Sequence, residues 1–167
     1  MTAARRNWNR SARPAFARCV SALGLVLAVT SWVCAATTER IVVDQRTGLA
    51  IHGFDPVAYF TDAAPEVGRG ELELSYGGAV WRFRNAGNRI AFTHDPDVYM
   101  PQFGGYDPIM LGQGVATPGH PQLWVVVADR LYLFSNREDR EAFAAAPERA
   151  AAAARINWPQ IAHGLVP

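Results

Sequence analysis

The chain has 167 residues, of which 16 are basic and 15 acidic, so its length suits one domain preceded by a targeting segment. Five of the 16 arginines lie within residues 1–18, which leaves 11 arginines against 15 acidic residues from Thr37 onward, a net charge of −4. An acidic domain argues against nucleic acid as a partner. Both cysteines, Cys19 and Cys34, precede Thr37, which excludes disulfide, thiolate-metal and thiol redox chemistry from the remainder.

Residues 1–36 are predicted to be a secretory signal peptide. The basic stretch is followed by an uncharged apolar run over 20–36 that ends in the small residues Ala35 and Ala36, which is the usual order of features in such peptides. Residues 37–167 then form a single domain that is periplasmic or secreted. The alternative is an uncleaved anchor, in which case this segment is the chain's contact with the membrane.

The domain contains an internal repeat with an offset of 51 or 52 residues. Residues 53–57 (Gly-Phe-Asp-Pro-Val) return as 105–109 (Gly-Tyr-Asp-Pro-Ile), and six of the 17 residues in 80–96 are identical to those 51 positions later. A fixed period predicts architecture before any residue is considered for chemistry. We expect an α+β fold of two pseudo-repeated β-hairpin–helix units, about 53–104 and 105–159, that share one core.

The first unit is predicted to contain a β-hairpin that turns at Gly77-Gly78. Two glycines between alternating apolar and polar residues favour a two-residue turn. The resulting register places apolar pairs on one face and opposite charges on the other. The expected pairs are Leu74–Trp81, Leu72–Phe83, Glu73–Arg82 and Glu71–Arg84.

The second hairpin, 123–127 with 130–134, has almost no polar face. Strands of this kind are usually covered on both sides, so we expect this hairpin at the centre of the domain and the first hairpin as an outer wall.

A helix is predicted after each hairpin. Asn85 is expected to cap the first helix, and Ser135 with Glu138 to form a capping box on the second. Pro147 should interrupt the second helix, and Trp158-Pro159 should close the domain.

Two equivalent dipeptides, Asp55-Pro56 and Asp107-Pro108, are the main candidates for chemistry. If the two units pack around a pseudo-twofold axis, both carboxylates approach it, where such a pair can hold a hard cation or share a proton. The alternative is structural, since Asp followed by Pro is also typical of the start of a helix. Tyr106, which follows two glycines, and His52, just before the first repeat motif, are further candidates for a ligand site.

Several segments together resemble the bacterial YHS-domain family, over about residues 50–159. They are Asp55-Pro56-Val57-Ala58-Tyr59-Phe60, Trp81-Arg82-Phe83, Asn88-Arg89-Ile90-Ala91-Phe92, Asp95-Pro96-Asp97-Val98-Tyr99, Pro101-Gln102-Phe103-Gly104-Gly105-Tyr106, Leu131-Tyr132-Leu133 and Asn157-Trp158-Pro159. The resemblance implies a small α+β unit related to treble-clef metal-binding folds, and a metal or redox role is suspected in the family.

The chain departs from that family at its cysteine positions. Asp107 follows Gly104-Gly105-Tyr106 where similar proteins often have cysteine or selenocysteine, and Asn85 and Asn88 follow the first hairpin where metal-binding relatives have cysteines. The resemblance therefore implies the fold without the thiol chemistry.

The expected function is that of an exported, YHS-like binding or accessory protein of undefined activity, which holds a metal ion or a small ligand between its two units and is not an enzyme. The sequence requires no cofactor, and any metal would be a hard cation because no thiolate is available. Two alternatives stay open. One is an enzyme that uses Asp55 and Asp107 as an acid–base pair, and the other is a purely structural protein-interaction module.

Overall fold

Two antiparallel β-hairpins, each followed by helices, organise residues 39–166, the part of the chain that the computed structural model describes. The elements in chain order are α1 (Ala58–Thr61), β1 (Arg69–Tyr76), β2 (Ala79–Phe83), α2 (Ala86–His94), α3 (Pro96–Tyr99), α4 (Pro108–Gly112), β3 (His120–Val127), β4 (Arg130–Phe134), α5 (Arg137–Ala145) and α6 (Pro147–His163). The 3₁₀ turns Ile51–Gly53 and Gln102–Gly105 precede α1 and α4. These elements confirm the α+β class, whereas the predicted signal peptide, residues 1–36, lies outside the described residues.

The first hairpin turns at Gly77 and Gly78, whose φ angles of 62° and 85° are those of the two-residue turn that matches strand twist. The pairs Leu74–Trp81 and Glu73–Arg82 confirm the predicted register near the turn, and Arg82 Nε donates to Glu73 Oε1 at 2.8 Å.

Further from that turn the predicted register is wrong. Phe83 pairs with Arg69 and not with Leu72, because the register shifts between Arg69 and Glu73. The shift accompanies a close crossing of the two strands, since a Cβ on Gly68 would lie 2.5 Å from the backbone carbon of Arg82. The expected Glu71–Arg84 pair is lost as well, and Arg84 donates instead to Asp62 Oδ2 at 2.7 Å.

The second hairpin has the same kind of turn and the same kind of irregularity. Ala128 and Asp129 have φ angles of 50° and 53°, so neither position needs glycine to adopt the left-handed conformation here. Trp124 pairs with Leu133, after which the register shifts before His120 pairs with Phe134.

The helices begin largely where local sequence predicts, with one correction. The side chain of Asn85 accepts from the Asn88 N–H at 2.8 Å and caps α2, as expected. Helix α5 is capped by Asn136, which accepts from the Asp139 N–H at 2.8 Å, so the predicted capping box on Ser135 is wrong. The Ser135 side chain is engaged elsewhere, as described below.

Pro147 separates α5 from α6, as predicted, but α6 does not close at Trp158-Pro159. It continues to His163 because residues on both sides of the proline are anchored, with the Trp158 ring 5.8 Å from that of Phe103 and Ile161 packed against the same cluster. Within residues 39–166, no helix combines the length and the apolar character needed to cross a bilayer.

The buried apolar residues of the described chain form two clusters, which corrects the prediction of one shared core. The first cluster is centred on Trp81, Phe83 and Phe92, and the second on Phe134 and Phe143. Alternate residues of β4 enter each cluster: Leu131 and Leu133 the first, Tyr132 and Phe134 the second. The β3–β4 hairpin therefore lies between the clusters and is covered on both faces, as its apolar sequence predicts.

Candidate functional site

The Asp55 carboxylate is fully buried and surrounded by hydrogen-bond donors. Its Oδ1 accepts from the Val57 N–H at 2.8 Å, which closes the turn before α1. Its Oδ2 accepts from the Arg84 N–H at 2.8 Å and from the Asn88 side-chain amide at 2.7 Å. Asp55 thereby ties the turn to the end of β2 and to the first turn of α2.

The Asp107 carboxylate is also fully buried and holds the corresponding place in the second half of the chain. Its Oδ1 accepts from the Ile109 and Met110 N–H groups at 2.9 and 3.4 Å and caps α4. Its Oδ2 accepts from both the N–H and the hydroxyl of Ser135, at 2.7 and 2.8 Å. Asp107 thus ties the start of α4 to the end of β4.

A second carboxylate lies near Asp107. The Ser135 hydroxyl is also 3.4 Å from Asp139 Oδ2, which accepts from the Asn136 side-chain amide at 2.7 Å. Burial raises the pKa of Asp107, the hydrogen bonds from Ser135 act in the opposite direction, and the negative charge of Asp139 raises it further. Asp107 is therefore a buried acid whose ionisation is opposed by both its burial and its neighbour.

The oxygen atoms of both aspartates are already occupied by protein donors, so neither carboxylate is presented to a ligand in this arrangement. Among residues 39–166, no group of three or more His, Cys, Asp or Glu side chains is placed to hold a metal ion. Asp107 caps α4, which begins at Pro108, as the structural interpretation of the Asp-Pro dipeptides predicts. For Asp55 that interpretation is wrong in detail, because α1 begins at Ala58 with Val57 as its N-cap, and Asp55 closes the preceding turn instead.

Tyr106 is buried and does not line an open surface. Its hydroxyl donates to the Glu39 carbonyl at 2.6 Å, and its ring lies 5.9 Å from that of Trp158. The residue joins the second cluster, so its role in the described structure is to pack α6 against the chain segment at Glu39.

His52 is the exposed member of the predicted set. It lies in the 3₁₀ turn with a φ of 56°, its side chain is 43% exposed, and its Nδ1 is 3.6 Å from Asp44 Oδ2. The pKa of Asp44 is lowered, chiefly by the hydrogen bond from the Thr47 side chain, which keeps this carboxylate ionised. The His52 ring is 6.1 Å from that of His120, so the fold brings together histidines from the two halves of the chain.

Beside His120 lies a surface cavity of about 390 Å³ that none of the sequence patterns predicts. It is lined by His120, Gln122, Leu123, Ser135 and Arg137. The Gln122 N–H donates to His120 Nδ1 at 3.2 Å, so the neutral imidazole carries its proton on Nε2 and is itself a donor. Together with the Arg137 guanidinium and the side-chain amide of Gln122, this imidazole N–H makes the cavity suitable for an anion or another acceptor-rich ligand.

In comparisons with known proteins, no protein-family model matches the chain, and neither a curated protein nor a solved structure has significant similarity to it. The resemblance to the YHS family therefore stays a proposal.

Proposed function

We propose that the chain is an exported, YHS-like binding or accessory protein that holds a small anionic ligand in the cavity beside His120. The observation that carries this proposal is the set of donors around that cavity, which comes from the start of β3 and the start of α5. The ligand class is a small carboxylate or phosphate, because Arg137 and a proton-bearing imidazole both favour an oxyanion.

Two repeated units form the scaffold of this proposal. Equivalent backbone hydrogen bonds at the 51/52-residue offset support it: the Asp55 and Asp107 N–H groups donate to the carbonyls of Glu66 and Thr117, at 2.8 and 2.9 Å. The glycines that precede the two outer strands also correspond, since Gly68 and Gly119 each lie where a Cβ would collide with the partner strand. A treble-clef-like origin of each unit fits this arrangement and is part of the proposal.

The residues that line the proposed site all belong to the second unit, and the site is distinct from the buried aspartates. The first unit adjoins it through His52. His52 belongs to the first unit and His120 to the second, with a ring separation of 6.1 Å. A ligand seated on His120 and Arg137 would therefore lie within reach of a residue from each unit.

The test is a titration of the purified protein with inorganic phosphate and with acetate. Two quantities are measured during it: the midpoint temperature of thermal unfolding and the NMR resonances of the His120 imidazole. Phosphate or acetate should raise the midpoint and shift these resonances. Arg137→Gln should abolish both effects, whereas Arg130→Gln, an equal charge change outside the cavity, should leave them intact. No stabilisation of the wild type, or equal stabilisation of Arg137→Gln, would overturn the anion site.

The cation alternative is an outcome of a parallel titration with Ca²⁺, Mg²⁺, Mn²⁺ and Zn²⁺. Stabilisation by a cation that is lost in the Asp55→Asn/Asp107→Asn double variant would restore the aspartates as a ligand site. Stabilisation that survives in the double variant would place the cation elsewhere.

A further inference from the structure

The outer edge of β3 is an unpaired strand edge. In the ladder with β4, the turn at Ala128-Asp129 makes Val127–Arg130 a hydrogen-bonded pair, so the main-chain groups of Val126 and Trp124 point away from β4. No hydrogen bond to a main-chain group of Trp124 or Val126 from outside this hairpin occurs within residues 39–166. The edge therefore offers two donors and two acceptors, at the spacing that an added strand requires.

The edges of the first hairpin are occupied or charged, whereas β3 has only Pro121, near its start, as a device against strand addition. On the outer side of β2, the Ala50 N–H donates to the Val80 carbonyl at 2.8 Å, so this edge is occupied. The outer strand β1 carries charges at Arg69, Glu71 and Glu73, a common device against strand addition. In contrast, residues 121–128 of the second hairpin contain no charged side chain.

We propose that this edge pairs with the β3 edge of a second copy of the chain, antiparallel and about a twofold axis at Val125. Trp124 of one copy then lies opposite Val126 of the other, and the two residues exchange both of their hydrogen bonds in a reciprocal pair on each side of the axis. The pairing joins the two hairpins into one continuous four-stranded sheet.

The side chains of β3 make a second copy the fitting occupant. Residues 123–127 are half-buried, with Trp124 and Val126 on the first cluster and Leu123, Val125 and Val127 on the second. In the twofold arrangement apolar residues face apolar residues on both sides of the sheet, and no charge is brought against a like charge. Residues 37–167 carry a net charge of −4, so two copies of this part of the chain can approach each other most easily at a strand without charges.

Pairing about a twofold axis also closes the assembly. Each copy uses its β3 edge once, so the product is a dimer and not a fibre. Leu123 borders both the His120 cavity and the proposed dimer contact, but the two proposals have separate tests. Arg137→Gln alters only the cavity and Val126→Pro alters only the strand edge, so the anion site can fail while the dimer forms, and the reverse also holds.

The experiment is sedimentation of the wild-type protein over a wide concentration range, combined with amide hydrogen exchange at low and high concentration. The mass should rise from one chain to two, and the Trp124 and Val126 amides should gain protection as it does. The outward-pointing amides of Glu73 and Ser75 in β1 are internal controls and should not change. A monomer at every concentration, growth beyond the dimer, or protection that appears elsewhere would overturn the proposal.

A matched pair of proline variants identifies the edge. Val126→Pro removes one donor from each reciprocal pair without touching the β3–β4 ladder, and should weaken association at least about tenfold. Ser75→Pro makes the equivalent change on the β1 edge and should leave the dimer intact. Equal dimerisation of both folded variants would rule out the β3 edge. If Val126→Pro does not fold, the wild-type exchange experiment still decides the question.

Discussion

The turns at Asp55 and Asp107 share a backbone frame and differ in the group that completes it. Each aspartate caps its own turn with one oxygen and accepts the N–H at the end of a hairpin with the other, from Arg84 in one case and Ser135 in the other. In the first turn the remaining donor is the neutral amide of Asn88. In the second turn it is a serine hydroxyl that also contacts the carboxylate of Asp139.

Two aligned positions account for the difference. Arg84 aligns with Ser135, which brings the hydroxyl, and Asn88 aligns with Asp139 at the same 51-residue offset. An amide at this place donates to the buried carboxylate, whereas a carboxylate at this place opposes its ionisation. The same local geometry thus holds one aspartate in a satisfied site and the other beside a like charge. The exchange of residues between positions 88 and 139 is therefore the direct test of the comparison.

The largest loss of stability should come from truncating the phenylalanine that occupies equivalent positions in the two halves. Phe92 and Phe143 are both fully buried, with rings 5.3 and 5.2 Å from Phe83 and Phe134. Truncation to alanine should lower the free energy of unfolding by about 3–5 kcal/mol in each case, because a large cavity is left. Urea unfolding measures this, and Ile90→Ala, at an exposed site on α2, is the control. A near-neutral result for either phenylalanine would break the equivalence of the two clusters.

A smaller effect is expected when the first turn is given the chemistry of the second. Asn88→Asp removes the amide donor to Asp55 and brings two carboxylates together, so it should destabilise the protein at neutral pH by about 1.5–3 kcal/mol, the range for a hydrogen bond to a charged group. Acid should reduce the loss, since protonation of one carboxyl restores a donor. Asn85→Asp, the same change at the exposed helix cap, should be nearly neutral. Equal losses in both variants would attribute the effect to charge on α2 alone.

The smallest effect should come from the reverse exchange, Asp139→Asn. The raised pKa of Asp107 means that the folded protein binds this proton more tightly than the unfolded chain. Its favourable contribution is complete below the ordinary value of 3.8 and is lost as the pH rises through the raised value. Removing the Asp139 charge should lower the pKa of Asp107, although burial still keeps that pKa above its ordinary value. The pH range over which protonated Asp107 stabilises the fold should therefore become narrower.

Asp139→Asn should change the free energy of unfolding by about 1 kcal/mol or less, because two effects oppose each other. The variant removes the repulsion between residue 139 and Asp107, but α5 also loses a favourable acidic residue from its first turn. Carboxyl carbon NMR of Asp107 follows the pKa directly. Glu138→Gln, also in the first turn of α5, controls for the helix effect. An Asp107 titration that is identical in wild type and Asp139→Asn would show that Ser135 isolates the two carboxylates.

Features set by near neighbours in the chain could be predicted from the sequence. The Leu74–Trp81 pairing follows from a two-glycine turn and alternation, and the Asn85 cap follows from residues three positions apart. The capping role considered for the Asp-Pro dipeptides rests on the same kind of local chemistry. The covering of the apolar second hairpin on both faces also follows from a short pattern.

Features set by distant parts of the chain could not be predicted. The register of β1 shifts because Gly68 crosses close to Arg82, and no local pattern signals that approach. Ser135 has the sequence of a helix cap, but its hydroxyl is claimed by Asp107, 28 residues earlier. His52 and His120 lie close together only because of how the two halves of the chain pack. No local sequence pattern around either histidine therefore predicts the cavity beside His120.

The chain enters and leaves the described domain at one place. The Arg40 N–H donates to the Val166 carbonyl at 2.8 Å, next to a parallel bridge between Glu39 and Val166. Because these two points adjoin, a short peptide could join them and the chain could be opened at the exposed Ala128-Asp129 turn without moving any element. Opened there, the chain would run from β4 through α6, across the joining peptide and on to β3, so the two strands of the second hairpin would be synthesised first and last and would still pair in the same sheet.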